Sequence, residues 1–570
     1  MGSSVQRYIA PMAAVAALAF STACGAGLRK YPPQQPVWLD PDQRSFRNQP
    51  EEYFSPFAWD AANQTIFRPI SRFLAVDPAQ ESVNVNALDE VPDSSWFRNR
   101  LSRYPMLPAQ VANGPCRGPS LDPKGPWTVV GAKPNGANPG FLIKAADGRR
   151  YLVKFDGVVQ GPRATAADVV GSRIYHAAGY YVPCNEIVFF QRSILSIDPG
   201  AQGEDEDGNE VPLNEGHLDR VFEKALRLPD GRYRANSSLF VEGKPIGPWT
   251  YEGCRSDDPN DVVNHEDRRE LRGARVLAAW LNHFDSREQN TMAAWMETPD
   301  GGYVRHYVID FGDCLGSIWE PPMLGRRIGQ ANYLDFSELA YDFVTFGFVA
   351  RPWDEARFGP SGPTFGYFDV DSFVPEAYQP GYPNPAFERA SERDHAWMAR
   401  IVARFRDEHV RAIVRTAKLG DPALERELVR LLLGRRDKIL RRYLTQLSPL
   451  SDPSLERTER GSRLCLRDLG TRTGVVLPSA RGYRARAWLG DQLRPTLPLV
   501  RGARGHRACV DLPATLGASR TRPEYLIVDV RAGIRGAEYQ PPTRVHLYQV
   551  GDAEYRIVGL ERPYDDAPPG

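Results

Sequence analysis

The chain has 570 residues, more than one ordinary hydrophobic core accommodates, so two or three domains are expected. It is 42% hydrophobic and 25% charged, with eleven tryptophans, the make-up of a folded globular protein. Its 71 basic and 71 acidic residues cancel, which argues against a nucleic-acid binder that works through general phosphate attraction.

At the N-terminus, Arg7 precedes the apolar run YIAPMAAVAALAF, as long as a signal-peptide core and too short to span a bilayer. Ser21, Thr22, Ala23 and Cys24 follow and resemble the lipobox of bacterial lipoproteins, with Ser21 where an aliphatic residue is usual. Residues 1–24 are read as a signal peptide, and the chain as exported to the periplasm or cell surface with a lipid on Cys24 anchoring it to the outer membrane. Plain secretion with cleavage nearby is the alternative. No later segment is long and apolar enough to cross a membrane, so membrane contact is expected only through Cys24. The other cysteines are Cys116, Cys184, Cys254, Cys314, Cys465 and Cys509. None forms a CxxC pair, which speaks against zinc. Export permits disulfides, with Cys465 and Cys509 as the best pair, although buried free thiols fit nearly as well.

Residues 25–115 read as a Pro-rich tether followed by an irregular, aromatic-rich wrap without identifiable chemistry. Residues 116–250 are strand-rich. GFLIKAADGRRYLVKFDG predicts a hairpin around Asp147-Gly148. ATAADVVGSRIYHAAG then has helical spacing, with Gly179 as its stop. In 251–450, NHEDRRELRGARVLAAWL predicts a helix capped by Asn264, and two further helices are expected over 396–447. Beyond Pro449, RLCLRDL, YRARAWL, RACVDL, YLIVDVRA, RVHLYQV and YRIVGL are short strands of a β-sandwich-like domain over 451–570.

Phosphoryl transfer needs a flexible loop over the phosphates, a strand lysine, a carboxylate for the attacking hydroxyl, and an Asn and an Asp for metal ions. This chain offers each in order. VVGAKPNGANPGF carries Gly131, Gly136 and Gly140, although an ordinary turn also fits it. In YLVKF, Lys154 alternates away from Tyr151, Val153 and Phe155, with Lys144 on the partner strand as its competitor. Asp168 is the single acid of the following helix and could pair with the lysine, or serve only the helix dipole. HFDSREQN places His283, Asp285 and Asn290 at the H-x-D-x-x-x-x-N spacing of a kinase catalytic loop. After a hairpin turning at Asp300-Gly301-Gly302, VIDFGD supplies Asp310.

The stretch from 127 to 345 resembles the protein-kinase-like superfamily in its divergent branches, the HipA-like and phosphoinositide kinases. AAGYYVPCNEI is similar to the helix-to-strand passage of HipA-like proteins, and VIDFGD to the metal-binding strand of both branches. Export together with such motifs is also similar to the kinases of the eukaryotic secretory pathway. The runs DEVPDSSWF, DDPNDVVNHEDRRELRG and RRDKI are similar to those of a group of exported bacterial lipoproteins, which implies no particular activity. The resemblance implies an α+β fold with a two-lobed kinase-like core, β-rich over 116–250 and helical over 251–450. It also implies ATP and Mg as cofactors, Asp285 and Lys154 as catalytic, and Asn290 and Asp310 as metal ligands. Nucleotide contacts would come from Gly131, Gly136, Gly140, Lys154 and Asp168. Two departures are the aspartate where kinases carry glutamate and the lack of an APE motif after Gly312, so the acceptor, protein or small molecule, stays open. A catalytically silent binding or scaffold lipoprotein is the alternative function.

Two acidic runs are set aside. EDEDGNEVPLNE is preceded by Gly203 where a calcium loop needs its first acid, and has Asn214 where that loop needs a bidentate Glu. In CRSDDPNDVVNHEDRRE, helix capping and ion pairing to Arg268 and Arg269 are expected ahead of metal binding. There is no GxSxG or HExxH to support a serine hydrolase or zincin.

Overall fold

The computed structural model describes residues 30–74, 80–133, 138–204, 210–318, 322–459, 461–489, 492–494, 499–501, 506–513, 518–519, 521–565, 567 and 569. Cys24, Gly136 and the centre of the acidic run at 205–209 lie outside the described residues. Asn214, at the end of that run, caps the helix Glu215–Lys224 by accepting from His217 N, which accounts for its place. No helix among the described residues is long and apolar enough to cross a membrane.

Strands β1 (Trp127–Ala132), β2 (Gly140–Ala145) and β3 (Arg150–Phe155) form a meander. Asp147 accepts from Arg149 N, and Gly148 takes a φ of 83° to turn the β2–β3 hairpin. With β4 (Asn185–Phe190), β5 (Leu195–Glu204), β6 (Glu210–Pro212) and β7 (Tyr233–Leu239) they make a seven-stranded sheet of order β4-β7-β3-β2-β1-β5-β6. Strand alternation sends Phe141, Ile143, Tyr151, Val153 and Phe155 into a core with Trp127 and Phe190. It leaves Lys154 on the opposite face, where helix α1 (Arg163–Ala178) packs. Gly179 ends α1 with a φ of 142°, and a Cβ there would lie 2.1 Å from the Phe97 ring.

A second sheet pairs β8 (Lys244–Gly247), β9 (Thr291–Thr298) and β10 (Gly301–Val308). Below it, α2 (Arg269–Leu281) is wrapped by α3 (Glu392–Val402), α4 (Asp407–Thr416) and α5 (Pro422–Tyr443) around a core that includes Trp280, Trp397 and Leu432. Three helices stand where two were expected over 396–447: α3 ends at Val402 before α4 starts at Asp407, and α4 ends at Thr416 before Asp421 caps α5 with Pro422 at its first position. Asn264 does not cap α2. It precedes a separate 3-10 turn, His265–Asp267, and its Oδ1 accepts from Cys254. The acids nearby are spent on local pairs. Asp261 meets His265 and Arg268, Asp267 meets Arg272 and Arg389, and Arg269 turns instead to Asp89 and Asp394.

The C-terminal strands β11 (Leu450–Thr458), β12 (Gly461–Asp468), β13 (Arg481–Leu489), β14 (Gln492–Arg494), β15 (Leu499–Arg501), β16 (Arg507–Asp511), β17 (Glu524–Ile534), β18 (Thr543–Gly551) and β19 (Glu554–Glu561) form two sheets, β11-β12-β16-β15 and β14-β13-β17-β18-β19. Leu464, Leu466 and Val510 of the first share one core with Leu526, Val528, Val545 and Leu547 of the second. Cys465 and Cys509, opposite each other on β12 and β16, are joined by a disulfide, and a second one joins Cys116 to Cys184. Cys254 and Cys314 are free thiols.

The wrap lies across these units. Tyr31 N donates to Tyr525 OH in the C-terminal sheets, Asp42 accepts from Ser95 N and Oγ, and the Trp96 ring stacks on His306 at 3.4 Å.

Candidate active site

Three segments converge: β3 with its lysine, the loop after α2, and the turn after β10. Gly140 faces Lys154 across the β2–β3 pair, and a Cβ on it would lie 2.4 Å from Val153 O, so this approach requires glycine. Gly131 has no such demand, its nearest neighbour being Leu142 at 3.7 Å. Lys144 is exposed and pairs in register with Arg150, away from the cleft. Lys154 is 4% exposed.

Lys154 Nζ lies 2.8 Å from Asp168 Oδ2 and 2.8 Å from Asp310 Oδ1. Asp168 also accepts from Phe311 N at 2.9 Å and from Asn236 Nδ2 at 3.0 Å, so the helix carboxylate holds the lysine and the turn after β10 together. Burial works against the ammonium, but the two carboxylates outweigh it and hold Lys154 well above its usual range. One ammonium cannot offset two carboxylates. Buried Asp168, pressed by the Asp310 charge, is pushed up, while Asp310, partly exposed, is held low by Lys154 and Lys133 against its partial desolvation. Asp310 has a φ of 56°, a left-handed conformation that a non-glycine residue holds only where its surroundings enforce it.

The loop carrying Asp285 and Asn290 follows from the end of α2, where Asn282 takes the left-handed cap position. Arg435 of α5 donates to the carbonyls of Ala279 and Trp280 at 2.6 and 2.9 Å and so holds this helix end. His283 Nδ1 bonds Tyr175 OH at 3.2 Å, and burial pushes its pKa down to about 4. Asp285 accepts from Asn290 Nδ2 at 2.8 Å and pairs with Arg287 Nε at 3.0 Å. Burial pushes Asp285 up to about 7; Arg287 and the Asn290 bond oppose the rise, and Asp313 and Asp310 add to it. Asn290 O accepts from Ile309 N at 2.9 Å, which fixes the Asp285–Asn290 loop beside the strand leading into Asp310.

The hairpin between them turns at Pro299-Asp300, not at 300–302, because Gly301 and Gly302 already pair with Thr298 and Glu297. Phe46 O and the Trp295 ring approach these glycines within 2.1 and 2.5 Å of where a Cβ would sit, so both are needed inside the strand. Strand β10 ends at Val308, two residues short of Asp310.

Several contributors escaped the sequence reading. Arg163 donates to Gly312 O and Cys314 O, each at 2.8 Å, tying the start of α1 to the turn. Lys133 reaches Asn138 O at 3.0 Å, and burial with repulsion from Lys154 lowers its pKa. Asp313 accepts from Ser317 Oγ at 3.3 Å and is pushed up by burial and Asp310. Phe311 packs between Tyr175 and His283 and over Gly171, where a Cβ would lie 2.6 Å from its own. Arg287, Asp313 and Lys133 lie inside quoted motifs and were legible there; Arg163 had no local signal.

Among the described residues, groups of three or more His, Cys, Asp and Glu with ligand atoms mutually within 4.8 Å occur only at the two disulfides, beside Glu186 and Glu456. Sulfurs already joined are not metal ligands, so neither group is a metal site. In the cleft, Asn290 spends its amide nitrogen on Asp285 O and Oδ2, leaving Oδ1 as the oxygen for a hard cation, and Asp310 stays ionised and partly exposed. These two fit magnesium.

No protein-family model matches the chain, and no curated protein matches it. Among solved structures it is similar to the Golgi casein kinase with Mn/ADP bound, at 10% identity over 73% of this chain and 97% of that chain, with a TM-score of 0.22. So loose a superposition adds nothing to the side-chain geometry above.

Proposed function

We propose that the chain is an exported kinase-like phosphotransferase that moves a phosphoryl group from ATP to a hydroxyl of a protein or small-molecule acceptor. The observation that carries this reading is the bonding of Lys154 to both Asp168 and Asp310, with the Asp285–Asn290 loop pinned beside them through Ile309 N.

An ammonium has three donors, and Lys154 spends two on carboxylates, leaving the third for a phosphate oxygen. Asp168 keeps that lysine charged and aimed. Asn290 Oδ1 and Asp310 are the oxygens fit to hold magnesium, whose charge when bound offsets that of the phosphates. Asp285, with a pKa near neutrality, accepts the acceptor hydroxyl's proton, and Arg287 orients its carboxylate. A recess of about 100 Å³, lined by Phe284, Arg327, Ile328, Ala331, Asn332 and Tyr333, offers the acceptor a seat, and the Asp285 charge is felt at its Tyr333. The disulfides Cys116–Cys184 and Cys465–Cys509 support export to an oxidising compartment, with a lipid on Cys24 as the tether.

A binding or scaffold lipoprotein with a silent cleft is favoured by one feature, the exposed apolar run Phe343, Val344, Phe346 and Phe348. A thermal-shift titration with ATP and Mg2+ tests the first reading. Stabilisation that needs the metal and is lost in Asp310→Ala supports a nucleotide site; no stabilisation, or the same stabilisation in the variant, refutes it.

A further inference from the structure

The wrap lays one helix against the catalytic loop. Its stretches Phe57–Ala62, Asn63–Phe67 and Arg68–Leu74 run on without a break, the middle one a widened turn of π type. Asp60, Gln64 and Arg68 recur at every fourth position. In a regular α-helix, residues four apart drift by about 40°. A turn bonded i to i+5 winds more slowly and keeps the three in one line.

All three reach the loop between Asp285 and Asn290. Gln289 donates to the Asp60 carboxylate, Gln64 Nε2 donates to Glu288 Oε2 at 3.4 Å, and Arg68 pairs with Glu288 Oε1. Glu288 Oε1 accepts in addition from Tyr251 N at 3.1 Å, and Glu288 O from Thr291 Oγ1 at 2.6 Å. Asp60 and Gln64 are buried, whereas Trp59, Ile66, Phe67 and Ile70 of the same helix are exposed, so the polar stripe is the side turned to the protein. Glu288 and Gln289 form the 3-10 turn Glu288–Asn290, which carries the Asn290 amide onto Asp285.

We propose that Asp60, Gln64 and Arg68 are positioning residues for the catalytic loop, holding Glu288 and Gln289, the last two of its four spacer residues, and through them the Asn290–Asp285 contact. These two spacers of the motif are thereby clamped by a segment far upstream of the kinase-like unit. The effect on turnover rests on the phosphotransferase reading; the clamping of the loop does not.

The test is hydrogen exchange of the full chain, read on peptides over 284–291 and 150–156, with nucleotide affinity and turnover measured on the same samples. Losing a charged hydrogen bond speeds local opening about tenfold or more, so Arg68→Ala should raise exchange over 284–291 by that factor and leave 150–156 unchanged. Turnover should fall about tenfold with KM for nucleotide unchanged, since the contact acts on loop geometry rather than on binding. Arg68→Lys, which keeps the charge, should recover most of both. Unchanged protection over 284–291, or a parallel rise over 150–156, overturns the proposal. If Arg68→Ala does not fold, Asp60→Ala removes the Gln289 acceptor and is read in the same way. A wild type that binds nucleotide without turnover refutes phosphoryl transfer alone, while exchange still decides the clamp.

Discussion

Replacing Lys154 with methionine keeps the length of the side chain and removes its charge. The ammonium now offsets two carboxylates 2.8 Å away, one buried on α1 and one partly exposed after β10. Breaking a buried pair costs about 3–5 kcal/mol, and the exposure of Asp310 places this case near the lower end, about 3 kcal/mol. At about 2–4 °C per kcal/mol for a domain of this kind, Tm should drop by about 6–12 °C. The loss should depend on pH with a definite sign. Without Lys154, the folded-state pKa of Asp168 rises further above the unfolded value of about 3.9. Wild type, whose Asp168 is already raised, shares the penalty up to its own folded pKa; beyond that the variant's added penalty grows by about 1.4 kcal/mol per pH unit up to the variant's folded pKa. Thermal melts of wild type, Lys154→Met and Lys154→Met/Asp168→Asn between pH 5 and pH 8 check this. The single variant should lie closest to wild type at pH 5, and Asp168→Asn should restore most of the loss at pH 8. A drop of less than about 1 kcal/mol, or one that neither varies with pH nor responds to Asp168→Asn, would sink the buried-triad argument.

Arg287→Ala removes the charge that opposes the rise of Asp285, so the rising limb of turnover against pH should move from about 7 to higher pH; an unmoved limb means that Asp285 is not the titrating base. Gly171→Ala forces a Cβ to within 2.6 Å of Phe311, and overpacking of this kind costs about 1–3 kcal/mol, read as a lower denaturant midpoint with weaker nucleotide binding. Cys465→Ser/Cys509→Ser opens a loop spanning 44 positions and should cost about 4 kcal/mol on the chain-entropy account, seen as earlier melting of the C-terminal sheets. His283 and His395, which burial holds down to about 4 and about 3, are neutral when folded. Their contribution is complete above the unfolded value near 6.5 and falls by about 1.4 kcal/mol per pH unit for each below it, so acid melts should steepen there and flatten in His395→Gln.

The parts of the cleft legible in the sequence are those fixed by local periodicity. Alternation in YLVKF put Lys154 opposite the core, Asp147-Gly148 set the hairpin register, and the spacing of Asp285 and Asn290 gave one loop. Six of the C-terminal strands were legible for the same reason; β11, whose Asp452 and Pro453 break alternation and form its bulge, and the three-residue strands β14 and β15, too short to alternate, were not. Long-range partners were not legible. Arg163 on Gly312, Arg435 on the end of α2, and Arg68 on Glu288 join residues 149, 155 and 220 positions apart, and no local pattern marks an arginine as buried. The misplaced Asn264 cap has the same origin, since α2 begins after a separate turn set by the Asp261–His265–Arg268 pairs.

Phosphoryl transfer itself is tested most directly by following the γ-phosphate of labelled ATP with the full chain and Mg2+ or Mn2+. The account predicts that label leaves ATP for protein or an added hydroxyl acceptor, and that Asp285→Asn slows the transfer by about 10²–10⁴-fold, as loss of a general base does, while nucleotide still binds. Bound nucleotide with no transfer in the wild type, or transfer at an equal rate in Asp285→Asn, would contradict it.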